Sequence, residues 1–209
     1  MQARGALRKE LAACLRTGRS QRCSHKRTEH SGTGRVRGMV MISDRPAEAE
    51  DRAIPGHWEG DLLMGKGGRS AVGTRVERSS RYVMLLHLPH SRTAEAVRQA
   101  LTKQVLQLPA ELRRTLTWDQ GKEMAEHAKF TVATKVGVFF CDPHSPWQRG
   151  SNENTNGLLR QFLPLTDDFN ALTRRDLTKI ARELNNRPRQ TLNWRKPSEV
   201  FSQLVASTG

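Results

Sequence analysis

Three acidic residues occupy positions from which separate elements of a folded chain could bring them together. Asp61 lies in the apolar segment G-H-W-E-G-D-L-L, Asp119 ends the segment T-L-T-W-D, and Glu153 lies where a helix is expected to begin. Three carboxylates make an oxygen-rich site suited to Mg²⁺ or Mn²⁺. Two such ions, roughly 4 Å apart, need several carboxylate oxygens, which would explain three acids rather than one. Because the chain has 21 acidic residues, spacing alone leaves a chance grouping open.

The charge of the chain favours nucleic acid as the partner. Its 209 residues include 35 Lys and Arg against 21 Asp and Glu, a formal net charge of +14. Lys and Arg neutralise phosphates, and the release of counterions then drives binding to DNA. A metal site in such a chain therefore indicates a phosphodiester substrate. An anionic membrane is the alternative, but no strongly apolar amphipathic helix accompanies the charge.

Composition also bears on location. No apolar run approaches the ~18 residues that span a bilayer, so we expect no membrane segment. No hydrophobic region follows the basic N-terminus, as one would in a secretory signal. The three cysteines are odd in number and widely spaced, which favours free thiols in a reducing compartment. We therefore expect a cytoplasmic protein.

The composition of the chain changes at about residue 50. Residues 1–50 are predicted to form a basic and largely flexible N-terminal arm, with a short helix at Leu7–Leu15 and a linker at Ser20–Gly38. The apolar run Met39–Ile42 is interpreted as a short strand or an anchor for this linker. Residues 51–209 are predicted to fold as a core that ends in a helical extension.

Within the core, three strands with short links are expected to form an antiparallel meander, after which helices alternate with two more strands. This pattern is typical of an α/β fold with a mixed sheet. The first and fourth strands can be neighbours, which would place Asp61 beside Asp119, with Glu153 approaching from the side. The predicted strands are His57–Met64, Ala71–Glu77, Arg81–Leu88, Leu116–Trp118 and Val136–Cys141. The predicted helices are Thr93–Leu108, Glu123–Thr134, Gly150–Phe162, Arg174–Asn186 and Ser198–Val205.

Four ordered segments resemble one known family. They are S-D-R-P-A-E-A-E-D-R-A-I-P-G-H-W-E-G-D-L-L, T-W-D-Q-G-K-E-M-A-E-H, F-F-C-D-P-H-S-P-W-Q-R-G-S-N-E-N-T-N-G-L-L-R-Q and L-N-N-R-P-R-Q-T-L-N-W-R-K-P-S-E-V-F. From about Ile42 to the C-terminus, the chain is thereby similar to bacterial insertion-sequence transposases of the IS-thirty type. These belong to the superfamily of DDE transposases and retroviral integrases.

The resemblance implies an RNase H-like fold, the integrase catalytic core, in which a mixed five-stranded sheet is flanked by helices. It implies that Asp61, Asp119 and Glu153 are the catalytic and metal-binding triad, holding Mg²⁺ or Mn²⁺, with two ions expected. The implied reaction is DNA cleavage and strand transfer on insertion-sequence ends and target DNA. The active form would be a homo-oligomer associated with the bacterial nucleoid.

The family carries helix-turn-helix DNA-binding regions before the catalytic core. In this chain only about 50 residues precede Asp51, and no two-helix pattern that could form this motif is recognisable among them. We therefore expect the chain to be N-terminally truncated relative to the family.

Residues near the triad have candidate roles of their own. Glu59, Glu123 and His127 are candidates for a supporting place beside the metal site. Glu59 would be an accessory acid or a residue at the edge of the site. Glu123 and His127 would support the ligands or contact substrate, although a single histidine near a helix is more often structural. Trp147 is expected to pack beneath its loop, with stacking on a base as the alternative. Contacts to DNA are predicted for a polar helix face and for nearby basic residues, with a solvated surface as the alternative. The predicted DNA contacts are Arg149, Asn156, Arg160, Arg187, Arg189 and Lys196.

Two further functions stay open at this point. The chain could be a truncated, non-catalytic remnant that binds DNA or full-length partners and regulates transposition. It could also be a stand-alone RNase H-like nuclease acting on hybrids or junctions, although the L-N-N-R-P-R block, shared with transposases, argues against this. A test of metal-dependent cleavage and joining separates the three.

Overall fold

A computed structural model describes residues 36–50 and 52–207, which belong to one compact unit. Its strands are β1 (His57–Met64), β2 (Ala71–Glu77), β3 (Val83–His87), β4 (Thr115–Trp118) and β5 (Gly137–Phe140). Its α-helices are α1 (Ala94–Val105), α2 (His127–Thr134), α3 (Gly150–Leu159), α4 (Arg174–Asn185) and α5 (Pro197–Ala206). No helix in these two ranges is long and apolar enough to cross a membrane. The predicted helix Leu7–Leu15 lies outside the described residues.

The strands form one mixed sheet in the order β3-β2-β1-β4-β5. β1 pairs antiparallel with β2, and β2 with β3, which confirms the predicted meander. β1 and β4 run parallel, as do β4 and β5, which confirms that the first and fourth strands are neighbours. Parallel neighbours need a crossover, and α1 lies in the connection between β3 and β4.

Apolar clusters cover both faces of the sheet. Side chains alternate along a strand, so Leu85 and Leu86 of β3 join different clusters. Leu101 of α1 packs in the cluster that contains Leu86, and Leu177 of α4 packs in the cluster that contains Leu85. The sheet is therefore the middle layer of the described fold, with helices on each side.

Local signals account for several helix ends. The Thr173 side chain accepts a hydrogen bond from the Asp176 N–H, and the Asp176 carboxylate accepts one in return, which confirms the predicted capping box of α4. Pro197 lies in the first turn of α5, as expected. The helix predicted at Glu123–Thr134 begins later than expected, because a separate 3₁₀ turn at Lys122–Met124 precedes α2.

The described part of the predicted arm lies against the sheet. The Phe140 N–H donates to the Val40 carbonyl at 2.8 Å, so the run Met39–Ile42 is anchored beside β5. Arg45 is 8% exposed and donates to Thr117 Oγ1 at 3.2 Å. These residues find partners on the core, and the flexibility predicted for the arm does not extend to them.

Candidate active site

Asp61 and Asp119 lie level with each other on neighbouring parallel strands. Asp61 is inside β1, and Asp119 directly follows β4. The parallel register pairs Glu59 with Thr117. Asp61 and Asp119 each lie two residues further along the chain from this pair. A step of two residues returns to the same face of a strand. The pairing of β1 with β4 therefore brings together two of the three predicted acids.

Trp118 sets the close approach of these strands. A Cβ atom placed on Gly60 would lie 2.1 Å from the Trp118 ring, so only glycine fits beside Asp61 at this point. The Trp118 indole N–H donates to Glu123 Oε1 at 2.9 Å, which directs Glu123 back toward the end of β4. Burial raises the pKa of the Glu123 carboxyl above its usual range, and Asp119 adds to this.

Arg149 joins the two aspartates. Its guanidinium lies 3.1 Å from Asp61 Oδ2 and 3.5 Å from Asp119 Oδ2, and it donates to the Gly60 carbonyl at 2.8 Å. The Arg149 side chain is only 12% exposed, against 26% for Asp61 and 43% for Asp119. Burial raises the pKa of Asp61 above its usual range, while the charge of Arg149 opposes that shift.

Glu153 lies in the first turn of α3 and is exposed. On the same helix face, one turn later, Asn156 donates from Nδ2 to Asp61 Oδ2 at 3.2 Å. The face that carries Glu153 is thus turned toward Asp61. Among residues 36–50 and 52–207, however, no three acidic, histidine or cysteine side chains come close enough to hold one metal ion. The structure brings Asp61 and Asp119 together and leaves Glu153 outside that pair.

Glu59 connects β1 to α3. It is fully buried. Its Oε1 atom lies 3.0 Å from Arg78 Nε, and its Oε2 atom accepts a hydrogen bond from the Asn152 N–H at 2.9 Å. The first N–H groups of a helix lack partners within the helix and favour negative charge, so this carboxylate acts as a cap supplied by the sheet. The buried Asn152 side chain donates to the Glu59 carbonyl at 2.9 Å. Glu153 therefore follows a residue that is fixed to β1.

His127 has a structural environment. It is buried, its two ring nitrogens lie 3.0 Å from the Met124 carbonyl and 3.1 Å from the Gly38 carbonyl, and it packs edge-on against Phe140 at 5.0 Å. The predicted helix Glu123–Thr134 would have placed Glu123 and His127 one turn apart on the same face, but the α-helix begins only at His127. Glu123 lies beside Asp119, whereas His127 secures the segment before β1.

The other basic residues predicted to contact DNA already have protein partners. Arg160 donates to the Met64 carbonyl at 2.9 Å, which joins the end of α3 to the end of β1. Arg187 pairs with Glu183 at 2.9 Å, and Lys196 pairs with Glu199 at 3.2 Å. Arg189 donates to the carbonyl of Leu184 at 3.2 Å. The ion pairs of Arg187 and Lys196 are exposed. Water or a phosphate can therefore replace the carboxylate partner at little cost in free energy.

Trp147 is 72% exposed, so the expectation that it packs beneath its loop is wrong. Its loop is closed by Gln148, which donates to the Asp142 carboxylate and accepts the Asp142 N–H, both at 2.7 Å. Trp147 lines a cavity of about 700 Å³ together with Arg45, Arg52 and Arg78, among others. An exposed indole beside guanidinium groups is a surface on which a base and a phosphate can rest.

Comparisons with known proteins place this geometry in a family. Residues 51–146 match the family model described as integrase core domain. The transposase for insertion sequence element IS1086 of Cupriavidus metallidurans is 51% identical over 207 residues, which are 98% of this chain and 60% of that protein. Transposase InsI for insertion sequence element IS30C of Escherichia coli is 46% identical over 88% of this chain and 48% of that protein. The chain belongs to the insertion-sequence transposases of the IS-thirty type.

The solved structures agree with this family in fold. The catalytic core domain of BIV integrase matches 73% of this chain and 97% of its own, with a TM-score of 0.55 at 16% identity. The IS-thirty type core described here is therefore RNase H-like, with a mixed five-stranded sheet flanked by helices, as expected. The chain spans about 60% and 48% of the lengths of the two transposases named above.

The transposase core contains contacts that sequence reasoning missed. Asn152, next to Glu153, connects the start of α3 to β1, and the sequence does not predict this role. The sequence predicts that Arg149 contacts DNA, whereas the structure pairs it with both aspartates. Its position four residues before Glu153 in the same segment was the available signal. The contact of Asn152 with Glu59 joins residues 93 positions apart, and no pattern in the sequence predicts it.

Proposed function

We propose that this chain is the catalytic core of a DNA transposase, which cleaves DNA and transfers strands with divalent metal ions during transposition of an insertion sequence. The observation that carries the proposal is the convergence of Asp61 and Asp119 on one cationic group at the ends of parallel strands. The transposase names of the relatives and the net charge of +14 support DNA as the substrate.

The residues proposed to hold the metal are Asp61, Asp119 and Glu153. The first two turn their Oδ2 atoms to a single guanidinium, which supports a shared position for a cation, and their hard oxygens suit Mg²⁺ or Mn²⁺. Glu153 would join them from the helix face that Asn156 turns toward Asp61. When bound, two such ions would activate the attacking water or 3′-hydroxyl and offset the charge on the leaving 3′ oxygen.

The surrounding side chains would position these ligands and the DNA. Asn156 restricts the rotation of the Asp61 carboxylate through its hydrogen bond. Glu59 holds the first turn of α3, which carries Glu153. The exposed Trp147 offers a stacking surface, and Arg52 lines the same cavity and would contact a phosphate. The substrates would be the insertion-sequence ends and target DNA, bound by a homo-oligomer at the bacterial nucleoid.

A second function has an observation in its favour. Arg149 forms ion pairs with both aspartates. Among the described residues, no three acidic, histidine or cysteine side chains lie close enough together to hold a metal ion. A chain locked in this arrangement would bind DNA without cutting it and would act as a regulator of transposition. The two functions differ in one measurable property, the metal-dependent breaking and joining of DNA strands.

The test uses labelled duplexes that copy the two ends of the insertion sequence encoding the chain, with Mg²⁺ or Mn²⁺. We expect cleaved and joined strands from the wild-type chain, and a loss of at least about a hundredfold in Asp119→Asn, because an amide is a poor ligand for a hard cation. Asp44→Asn is the matched control, since Asp44 is an exposed acid in a short 3₁₀ turn. DNA binding without any strand breakage by the wild-type chain would favour the regulator.

A further inference from the structure

Arg149 occupies the point where the two aspartates converge. Its guanidinium contacts Asp61 Oδ2 at 3.1 Å and Asp119 Oδ2 at 3.5 Å, and donates to the Gly60 carbonyl at 2.8 Å. The Arg149 side chain is 12% exposed, and so is largely removed from solvent. A surface arginine that serves only to attract DNA would have no need of these three partners.

The charges explain why a cation lies here. Asp61 and Asp119 carry like charges at the ends of adjacent strands, and repulsion between them disfavours the ionised pair. Arg149 supplies the opposite charge in a partly buried setting, where such an interaction is screened less than at the surface. Asn156 adds a neutral donor to Asp61 Oδ2, but no charge. Arg149 is thus the counter-ion of the metal-free arrangement.

The same oxygens are the ones proposed to hold a metal ion. A divalent cation within bonding distance of both Oδ2 atoms would stand close to the Arg149 guanidinium, and like charges at such a distance repel strongly. We propose that Arg149 is a resident counter-cation that holds Asp61 and Asp119 together and gives way when a divalent ion binds. This inference rests on the proposed metal site and describes how that site is regulated.

Open surface lies next to Arg149 in the chain. Arg149 ends the 3₁₀ turn Pro146–Arg149, and a Cβ atom added to the next residue, Gly150, would meet nothing within 4 Å. The neighbouring Trp147 is exposed. A released Arg149 side chain would therefore remain on the surface proposed to meet DNA. The DNA contact predicted for Arg149 from the sequence would then form after its release.

The experiment measures Mn²⁺ binding to metal-free protein by the electron paramagnetic resonance signal of free Mn²⁺. Removing a competing cation strengthens binding, so we expect Arg149→Gln to bind Mn²⁺ at least about fivefold more tightly than the wild-type chain. Arg149→Lys keeps the charge but lacks the fork that reaches two carboxylates, and its affinity should lie between the two. Arg98→Gln is the matched control, because Arg98 of α1 forms an ion pair with a different acid, Glu126, at 2.6 Å. The Mn²⁺ affinity of this variant should equal that of the wild-type chain.

Thermal unfolding in EDTA gives a second readout. Arg149→Gln should melt at a lower temperature than the wild-type chain without metal, and Mn²⁺ should raise its melting temperature by more. Equal or weaker Mn²⁺ binding by both Arg149 variants would overturn the inference. Mn²⁺ binding that Asp61→Asn and Asp119→Asn leave unchanged would instead overturn the proposed metal site, and the inference with it.

Discussion

Glu59 and Asp61 stand two residues apart on β1 and have different surroundings. Glu59 is 0% exposed and is matched by Arg78 and by the Asn152 N–H, whereas the Asp61 side chain is 26% exposed and contacts Arg149 and Asn156. The buried acid, with an ion pair to Arg78 and a hydrogen bond from the Asn152 N–H, serves the fold. The acid that keeps access to solvent is the one proposed to serve chemistry.

We expect Glu59→Gln to destabilise the fold strongly. It leaves the buried Arg78 without its counter-charge, and removal of one member of a buried pair costs about 3–5 kcal/mol. Urea unfolding followed by circular dichroism measures this free energy. Glu183→Gln is the control, because the Glu183–Arg187 pair is exposed and should contribute less than about 1 kcal/mol. Equal losses in the two variants would contradict a structural role for Glu59.

The C-terminal helix α5 is held to the sheet by aromatic packing. Phe201 is 9% exposed, stacks on Tyr82 with ring centroids 4.2 Å apart, and meets the edge of Trp58 at 6.1 Å. Trp58 belongs to β1, so α5 rests against the strand that carries Asp61. The attachment of α5 therefore contributes to the stability of the whole core.

Phe201→Ala should lower the free energy of unfolding by about 3–5 kcal/mol, since it removes a buried ring and leaves a cavity. Val132→Ala on α2 is a suitable control, because Val132 is 73% exposed and its truncation should change stability by less than about 0.5 kcal/mol. Limited proteolysis should also cut α5 sooner in Phe201→Ala. An unchanged unfolding midpoint in urea would show that α5 is not needed for the core.

The sequence predicts elements better than it predicts contacts between them. Alternating apolar residues determine β2 (Ala71–Glu77) with its observed bounds, and the Thr173 capping box determines the start of α4. The predicted start of α2 is wrong because the Glu123 carboxylate accepts the Trp118 indole N–H, a local side-chain contact that helical periodicity does not include. The level positions of Asp61 and Asp119 follow from strand pairing and were expected. The ion pairs of Arg149 with Asp61 and Asp119 were not expected, because an arginine side chain suits a phosphate equally well.

One buried histidine links the acidity of the solution to the stability of the whole fold. His57 of β1 is 1% exposed, and its Nδ1 lies 2.8 Å from Thr115 Oγ1 of β4, across the pairing that aligns the two aspartates. Burial lowers the pKa of the His57 ring below its usual range, and the nearby Glu48 only partly opposes this. The folded protein thus prefers the neutral ring.

The unfolded chain protonates His57 near its usual pKa of about 6.5, whereas the folded chain does so only at lower pH. The stability due to the neutral ring is therefore complete above about pH 6.5 and is lost as the pH falls through the lowered pKa of the folded state. We expect the free energy of unfolding to be smaller at pH 5.5 than at pH 7.5, and the difference to shrink in His57→Gln. The exposed His90→Gln should retain the wild-type difference, and a full difference in His57→Gln would refute the linkage.

The parallel pairing of β1 with β4 also determines when the site can exist during synthesis. Asp61 and Asp119 are 58 positions apart, and α3 follows later still. At roughly 5–20 residues per second, about 3–12 s pass on the ribosome between the addition of the two aspartates. A nascent chain that has exposed only β1, β2 and β3 has no partner for Asp61. The acids proposed to break DNA therefore meet late in translation, so an interrupted polypeptide that stops before β4 carries no assembled cutting site.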